Sequence, residues 1–237
     1  MDIQLARHGF DDRIRWDPAL IRKYDVPGPR YTSYPTALQF TDSFGAREYE
    51  QYLLERPPVI GPLSLYVHIP YCRNICYYCA CNKIVTRDAA VAERYIVALE
   101  KETALLSRHF DRRRRVTQLH WGGGTPTFLS PAELTRLMHG LAKHFSLIDA
   151  PEREYSIEID PRSVDTGTIA LLKGLGFNRV SMGIQDFDPE VQRAVHREQS
   201  VEETETLIRD ARALGFTSVN VDLMYGLPYQ SLDRFKH

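Results

Sequence analysis

Between residues 63 and 226, short runs rich in β-branched residues alternate with longer stretches of helical spacing, and this alternation limits the possible fold more than any other feature. The runs are LSLYVHIP (63–70), VTQLHWGG (116–123), YSIEID (155–160), RVSMGIQ (179–185) and SVNVDLMYG (218–226). Between them lie DAAVAERYIVALEKETALLSRHF (88–110), SPAELTRLMHGLAKHF (130–145), residues 164–175 ending at Gly176, and VEETETLIRDARALG (201–215). Strands joined through helices of that length run parallel, because each helix returns the chain to the same end of the sheet. Right-handed crossovers bury both faces of such a sheet. When it curls, it forms a TIM-like barrel whose chemistry sits at the C-terminal ends of the strands. The expected fold class is α/β, a partial TIM-like barrel of five parallel strands.

The boundaries carry their own signals. Ser130 and Glu133 fit a capping box, with Pro131 at the first helical position. Residues 16–44, rich in Pro, Gly, Tyr and charge, read as an extended arm, and AREYEQYLLER (46–56) reads as a helix ended by Pro57 and Pro58. The expected organisation is an arm with its lead helix over residues 1–60 and a core over 61–237. The chain stops at DRFKH, early in an expected fifth helix. An uncovered parallel edge at strand five is a liability, so the expectation is a fragment of a longer protein.

Thirty basic against thirty-one acidic side chains give a net charge of −1, which leaves no broad electrostatic footprint for nucleic acid or an anionic membrane. No apolar run approaches the roughly 20 residues that span a bilayer, and MDIQLARHGFDD has no signal-peptide pattern. A cytoplasmic protein with no membrane span is expected. All four cysteines fall between Cys72 and Cys81. Two disulfides in so short a stretch would close strained loops, whereas free thiolates bind metal.

Every unusual residue cluster falls at a C-terminal strand end. In YCRNICYYCACN, Cys72, Cys76 and Cys79 have the spacing C-x3-C-x2-C on a tight loop, which lets three sulfurs meet three corners of one [4Fe-4S] cube. The fourth iron stays open for the amino and carboxylate groups of S-adenosylmethionine (SAM). Geometry alone does not exclude Cys81, which is left out because a fourth thiolate would fill the open corner. A zinc site usually uses two separated cysteine pairs, and a four-cysteine electron carrier gives no reason for a barrel. Tyr71, Tyr77 and Tyr78 serve either loop packing or exclusion of water around a cluster.

The second signal is WGGGTP (121–126). Three glycines remove every Cβ, so the backbone can approach a ligand's amino or carboxylate group; a simple tight turn is the plainer alternative. Glu158, Gln185 and Asp222 are weak signals singly but line one rim together. Carboxylates suit ribose hydroxyls or an ammonium, and an amide suits ribose or an adenine edge. Arg197 could pair a ligand carboxylate, although an exposed helical salt bridge is the usual role. His68 and His120 read as satisfied core histidines, and residues 112–115, all arginine, as a solvated corner.

These segments resemble one family. GPRYTSYPTA, YVHIPYCRNICYYCACNKIVTR, LHWGGGTPTFL, SIEIDPR, GFNRVSMGIQDF, VHREQ and VDLMYGLP are similar, in order, to the N-terminal half of the oxygen-independent coproporphyrinogen III oxidases, radical SAM enzymes of heme synthesis. The resemblance implies a (β/α)6 radical SAM barrel that this chain carries only as far as strand five, without the sixth strand or the C-terminal domain. It implies oxidative decarboxylation of two propionates of coproporphyrinogen III to vinyl groups through a 5′-deoxyadenosyl radical, a [4Fe-4S] cluster, and two SAM molecules. Cys72, Cys76 and Cys79 would ligate the cluster. Tyr66, Gly123 and Glu158 would touch the cluster-bound SAM, and Tyr78, Gly124, Thr125, Gln185, Arg197 and Asp222 the second. A porphyrinogen substrate, a reducing partner of flavodoxin or ferredoxin type and a monomeric state complete the expectation, with Arg30 as a cation for the substrate's carboxylates. The related heme chaperones resemble the chain less, because they lack both Cys81 and the arm.

Overall fold

The structure is a computed structural model that describes residues 17–26, 36–56 and 61–236. Arg30 and most of GPRYTSYPTA lie outside the described residues. The chain divides between Glu55 and Arg56 into two compact units.

In the first unit, part of the expected extended arm is helical. Helix α1 spans Pro18–Tyr24 and α2 spans Ala46–Glu55. Asp17 accepts hydrogen bonds from the backbone of Ala19 and Leu20 at 2.9 and 3.0 Å, and Pro18 occupies the first helical position. That start signal was hidden because seven residues are too short for a periodic pattern.

The second unit runs β1 (Leu63–Ile69), β2 (Tyr71–Cys72), β3 (Ile84–Val85), α3 (Ala90–Ser107), β4 (Arg115–Gly123), α4 (Pro131–His144), β5 (Ser146–Leu147), β6 (Glu154–Ile159), α5 (Thr166–Gly174), β7 (Arg179–Gln185), α6 (Pro189–Ala194), α7 (Val201–Ala213), β8 (Ser218–Leu223) and α8 (Leu232–Phe235). The main sheet has the order β1-β4-β6-β7-β8 with every neighbour parallel. Five long strands in sequential order make a barrel wall; a doubly wound sheet would reverse direction partway.

Alternation along each strand sets the two faces. Val67, Ile69, Leu119, Trp121, Ile157, Ile159, Val180 and Met182 are buried and belong to one core with Ile96 of α3, Leu137 of α4, Leu172 of α5 and Leu207 of α7. Trp121 meets Phe177 edge-on, with ring centroids 5.2 Å apart. The alternate residues Tyr66, His120, Glu158, Ser181 and Asp222 stand on the opposite, concave face. The expectation that helices bury both faces is therefore corrected. The strands carry a period of two, which leaves the inner face polar.

Other differences are local. Strand β8 ends at Leu223, short of residue 226, because Gly226 takes φ +80° and donates its N–H to Gln230 Oε1 at 2.7 Å. Helix α6 has no counterpart among the expected elements, although Asp188 and Pro189 start it as Asp17 and Pro18 start α1. The arginine corner is more than solvated: Arg114 Nε donates to Gly61 O at 2.7 Å and Arg112 to Lys143 O at 2.8 Å. The capping box is present, with Ser130 accepting from Glu133 N at 3.3 Å and donating its own N–H to Glu133 Oε2 at 2.7 Å. Ser130→Ala is expected to cost about 1 kcal/mol, read as a lower denaturant midpoint at unchanged slope.

Candidate cofactor site

The cysteine loop leaves β1 through Pro70 and is tied down along both its sides. β2 and β3 pair through Tyr71 with Ile84 and Cys72 with Val85. Ile84 N donates to Pro70 O at 2.7 Å and Thr86 N to Cys72 O at 2.9 Å. Lys83 Nζ donates to Cys79 O at 2.8 Å. Across the loop, His196 Nδ1 donates to Ile75 O at 2.7 Å and the Tyr77 ring stacks on His196. The loop therefore holds its shape through bonds to its backbone, none of which uses a thiol.

The glycine segment that closes β4 is laced to the chain on either side of Pro70. Gly124 N donates to Ile69 O at 2.8 Å and Thr125 N to Tyr71 O at 2.9 Å. A Cβ on Gly124 would sit 2.8 Å from Pro70 O and 2.9 Å from Tyr71 O, both rigid backbone. Gly123 adopts φ +116°, which only glycine tolerates comfortably. Gly124→Ala is expected to cost about 1–3 kcal/mol and to displace the strand carrying Cys72, seen as a lower melting temperature with less bound iron after reconstitution.

Cys72, Cys76 and Cys79 line one cavity of about 420 Å³, together with Tyr78, Gly124, Thr125, Arg162 and Arg197. Cys81 is exposed and stands outside that lining. Burial pushes the Cys72 thiol up, against a 3.4 Å contact with Thr125 Oγ1. Burial also opposes ionisation of Cys79, but hydrogen bonding from Cys81 and the Lys83 ammonium hold it below its ordinary value. Burial, then the Cys79 sulfur, pushes Cys81 up to about 11. Burial likewise raises Tyr78, although the Arg197 charge works against it. Three soft donors around one space fit three corners of an iron-sulfur cube. Among the described residues no three His, Cys, Asp or Glu side chains gather closely enough to hold one ion. A cube, whose ligands approach separate corners, needs no such convergence.

Beside Cys76 lies a buried charge group that sequence reading missed in part. Asp160 follows β6 and caps a short 3-10 turn, accepting from Arg162 Nη2 at 2.6 Å and Nε at 3.0 Å. Burial would raise the Asp160 carboxyl, but Arg162 and Arg197 more than offset this and hold it below the ordinary range. Arg197 corrects the expected exposed helical salt bridge: it is 8% exposed, lies between α6 and α7, and faces Asp160 at 3.4 Å. It donates to Gly183 O at 2.6 Å and to Cys76 Sγ at 3.3 Å, while its Nε finds no partner among the described residues. The signal available was the spacing Asp160-x-Arg162 directly after a strand.

The concave rim gathers other predicted residues. Tyr66 is 60% exposed and stacks on His120 at 5.7 Å. His120 Nε2 donates to Glu158 Oε1 at 3.3 Å, its Nδ1 pairs with Ser156 Oγ at 2.6 Å, and Gly123 N donates to Glu158 Oε2 at 3.3 Å. Burial, then the charges of Glu158 and Cys81, raise the Tyr66 hydroxyl. His68 bridges Tyr66 and the cysteine loop, accepting from Tyr66 Oη at 2.9 Å and donating to Asn82 O at 2.9 Å. Both histidines are satisfied, as expected, but they sit on the polar face and not in the core. Glu158 and Asp222 line a second cavity of about 470 Å³, in which Ser181 donates to Asp222 at 3.4 Å. Gln185 lines neither cavity; it is buried beside Gly183 with φ +73°, a strained backbone at a register shift between β7 and β8.

The model of the radical SAM superfamily matches residues 66–237. The chain belongs to the radical SAM superfamily. That family implies a [4Fe-4S] cluster and SAM. The chain is 54% identical over 224 residues to the oxygen-independent coproporphyrinogen III oxidase of Pseudomonas aeruginosa, covering 94% of this chain and 49% of that protein. It is 51% identical over 223 residues to the Escherichia coli protein of the same name, covering 94% and 48%. The solved structure of coproporphyrinogen III oxidase from Escherichia coli, described as a radical SAM enzyme, superposes with a TM-score of 0.83 at 49% identity, over 94% of this chain and 49% of that one. The chain spans about half the length of the curated relatives it matches. Among the described residues no helix is long and apolar enough to cross a membrane.

Proposed function

We propose that this chain is the cofactor-binding half of an oxygen-independent coproporphyrinogen III oxidase, acting in heme biosynthesis in the cytoplasm. The observation that carries the reading is 54% identity over 224 residues to a protein of that name, with three thiols and the glycine segment meeting at one cavity. Cys72, Cys76 and Cys79 are the proposed cluster ligands. When bound, the cluster and SAM would supply a radical that removes a hydrogen atom from the β-carbon of each of two propionates; loss of CO2, with one electron passed to an external one-electron acceptor, would then leave a vinyl group.

The chain's own residues bind and orient. Tyr66, Gly123 and Glu158 are the proposed contacts to a cluster-bound SAM. His120 and Gly123 N fix Glu158 at the rim, so its carboxylate faces the concave side. Tyr78, Gly124, Thr125, Gln185, Arg197 and Asp222 are the proposed contacts to a second SAM. Four of them, Tyr78, Gly124, Thr125 and Arg197, line the cavity of the cysteines. An external one-electron donor of flavodoxin or ferredoxin type, a porphyrinogen substrate and a monomeric state complete the reading. Residues 1–60, as arm and lead helix, and 61–237, as barrel core, are its two proposed parts.

Anaerobic reconstitution of the full chain with iron and sulfide, followed by SAM and dithionite, is the test. Formation of 5′-deoxyadenosine is expected, with vinyl products when coproporphyrinogen III is supplied. Deoxyadenosine without vinyl product would reject the substrate assignment, and no deoxyadenosine would reject the cluster chemistry as well.

A further inference from the structure

Two guanidiniums reach the same cysteine sulfur. Arg162 Nη2 stands 3.6 Å from Cys76 Sγ and Arg197 Nη1 stands 3.3 Å from it. Both are held by Asp160, whose side chain is 15% exposed, against 18% for Arg162 and 9% for Arg197. Two cations against one carboxylate leave a surplus of one positive charge in a mostly buried place. Besides Asp160 and the carbonyls of Gly183, 2.6 Å from Arg197, and His196, 3.5 Å from Arg162, the acceptor that both guanidiniums share is the Cys76 sulfur. A structural ion pair would need only one arginine and would not need to point at a thiol.

We propose that Arg162, oriented by Asp160, is a positioning residue that sets how easily an iron-sulfur cluster on Cys76 is reduced. The inference rests on the ligand set proposed above. Reduction takes the cluster from its 2+ to its 1+ state by one electron from an external donor, so negative charge grows on the iron and on its sulfur ligands. A fixed cation and an N–H donor beside one ligand sulfur favour that reduced state. The desolvated setting strengthens the effect, because little water screens the charge. Asp160 works in the opposite sense, since its carboxylate offsets part of the arginines' charge while holding them in place.

The test is a reductive titration of the anaerobically reconstituted full chain, comparing wild type with Arg162→Gln, Arg162→Lys and Asp160→Asn at matched iron content. In Arg162→Gln the ratio of reduced to oxidised cluster at a fixed potential is expected to fall about tenfold, which is about 59 mV for a one-electron couple. Arg162→Lys, which keeps the charge, is expected to retain most of the wild-type value. Asp160→Asn is expected to move the potential the other way. A purely structural role would shift Arg162→Gln and Asp160→Asn together, or neither. An unchanged midpoint in Arg162→Gln overturns the proposal, as does a shift of the same size in Arg162→Lys. If Asp160→Asn fails to fold, the two Arg162 variants decide alone. Failure of the wild-type chain to assemble any cluster would reject the ligand set itself, which is a separate result.

Discussion

Serine in place of Cys72, Cys76 or Cys79 is expected to leave a folded chain that assembles no four-iron cluster and forms no 5′-deoxyadenosine. The fold survives because the loop is held by its backbone: β2 pairs with β3, Lys83 holds Cys79 O, and His196 holds Ile75 O. None of those bonds uses a thiol. A serine hydroxyl is a hard donor that stays protonated at neutral pH, so it does not replace a thiolate on iron. Serine in place of Cys81 is the contrasting case. That sulfur is exposed and outside the shared cavity, so iron content is expected to stay near that of the wild type. Iron and acid-labile sulfide analysis of the four variants separates the outcomes. Equal iron loss in all four would mean that Cys81 is a ligand and that no corner stays open.

Alanine at Asp160 is expected to produce the largest loss of stability from a single substitution at the site. Its removal strands two guanidiniums whose side chains are only 18% and 9% exposed. Breaking one side of a buried ion pair costs about 3–5 kcal/mol, because the remaining charge keeps its desolvation penalty. At roughly 2–4 °C per kcal/mol for a chain of this size, the melting temperature is expected to fall by about 6–20 °C. Alanine at Asp111, which pairs with the exposed Arg113, is expected to leave it unchanged. The pH dependence has a definite sign. The Asp160 carboxyl is held below its ordinary value in the folded chain, so its contribution is complete above the unfolded value of about 3.9 and is lost as pH falls through the folded value. Wild type is therefore expected to lose stability more steeply than Asp160→Ala below about pH 4. Parallel acid unfolding curves for the two would show that the arginines do not depend on this carboxylate.

The sequence made the fold legible where a pattern repeats over many residues. Five β-branched runs separated by helices predict five parallel strands, and the structure has them in sequential order. Short elements escaped, because α1 and α6 are set by one Asp-Pro start each and have no room for a hydrophobic period. The polar inner face is written in the strands, where Tyr66 follows Leu65 and precedes Val67, His120 precedes Trp121 and Glu158 precedes Ile159, each polar residue beside an apolar one on the opposite face. At the site, the cysteine spacing and the three glycines announce themselves because few other residues can serve there. Asp160 and Arg162 do not, since a carboxylate and a guanidinium two residues apart usually sit in water. Only the fold brings Arg197 across from the loop between α6 and α7 to bury them. The strained backbone of Gln185 was equally invisible, because it arises from a register shift between two strands.

On the proposed ligand set, three thiols hold an iron cube with one corner free for SAM. Electron paramagnetic resonance of the dithionite-reduced chain, recorded before and after adding SAM under strict anaerobic conditions, tests it most directly. A [4Fe-4S]+ signal is expected whose g-values change when SAM is added, and which broadens when the SAM carboxylate or amino group carries a magnetic isotope. A cluster signal that is indifferent to SAM, or no iron signal from a fully reconstituted chain, would contradict it.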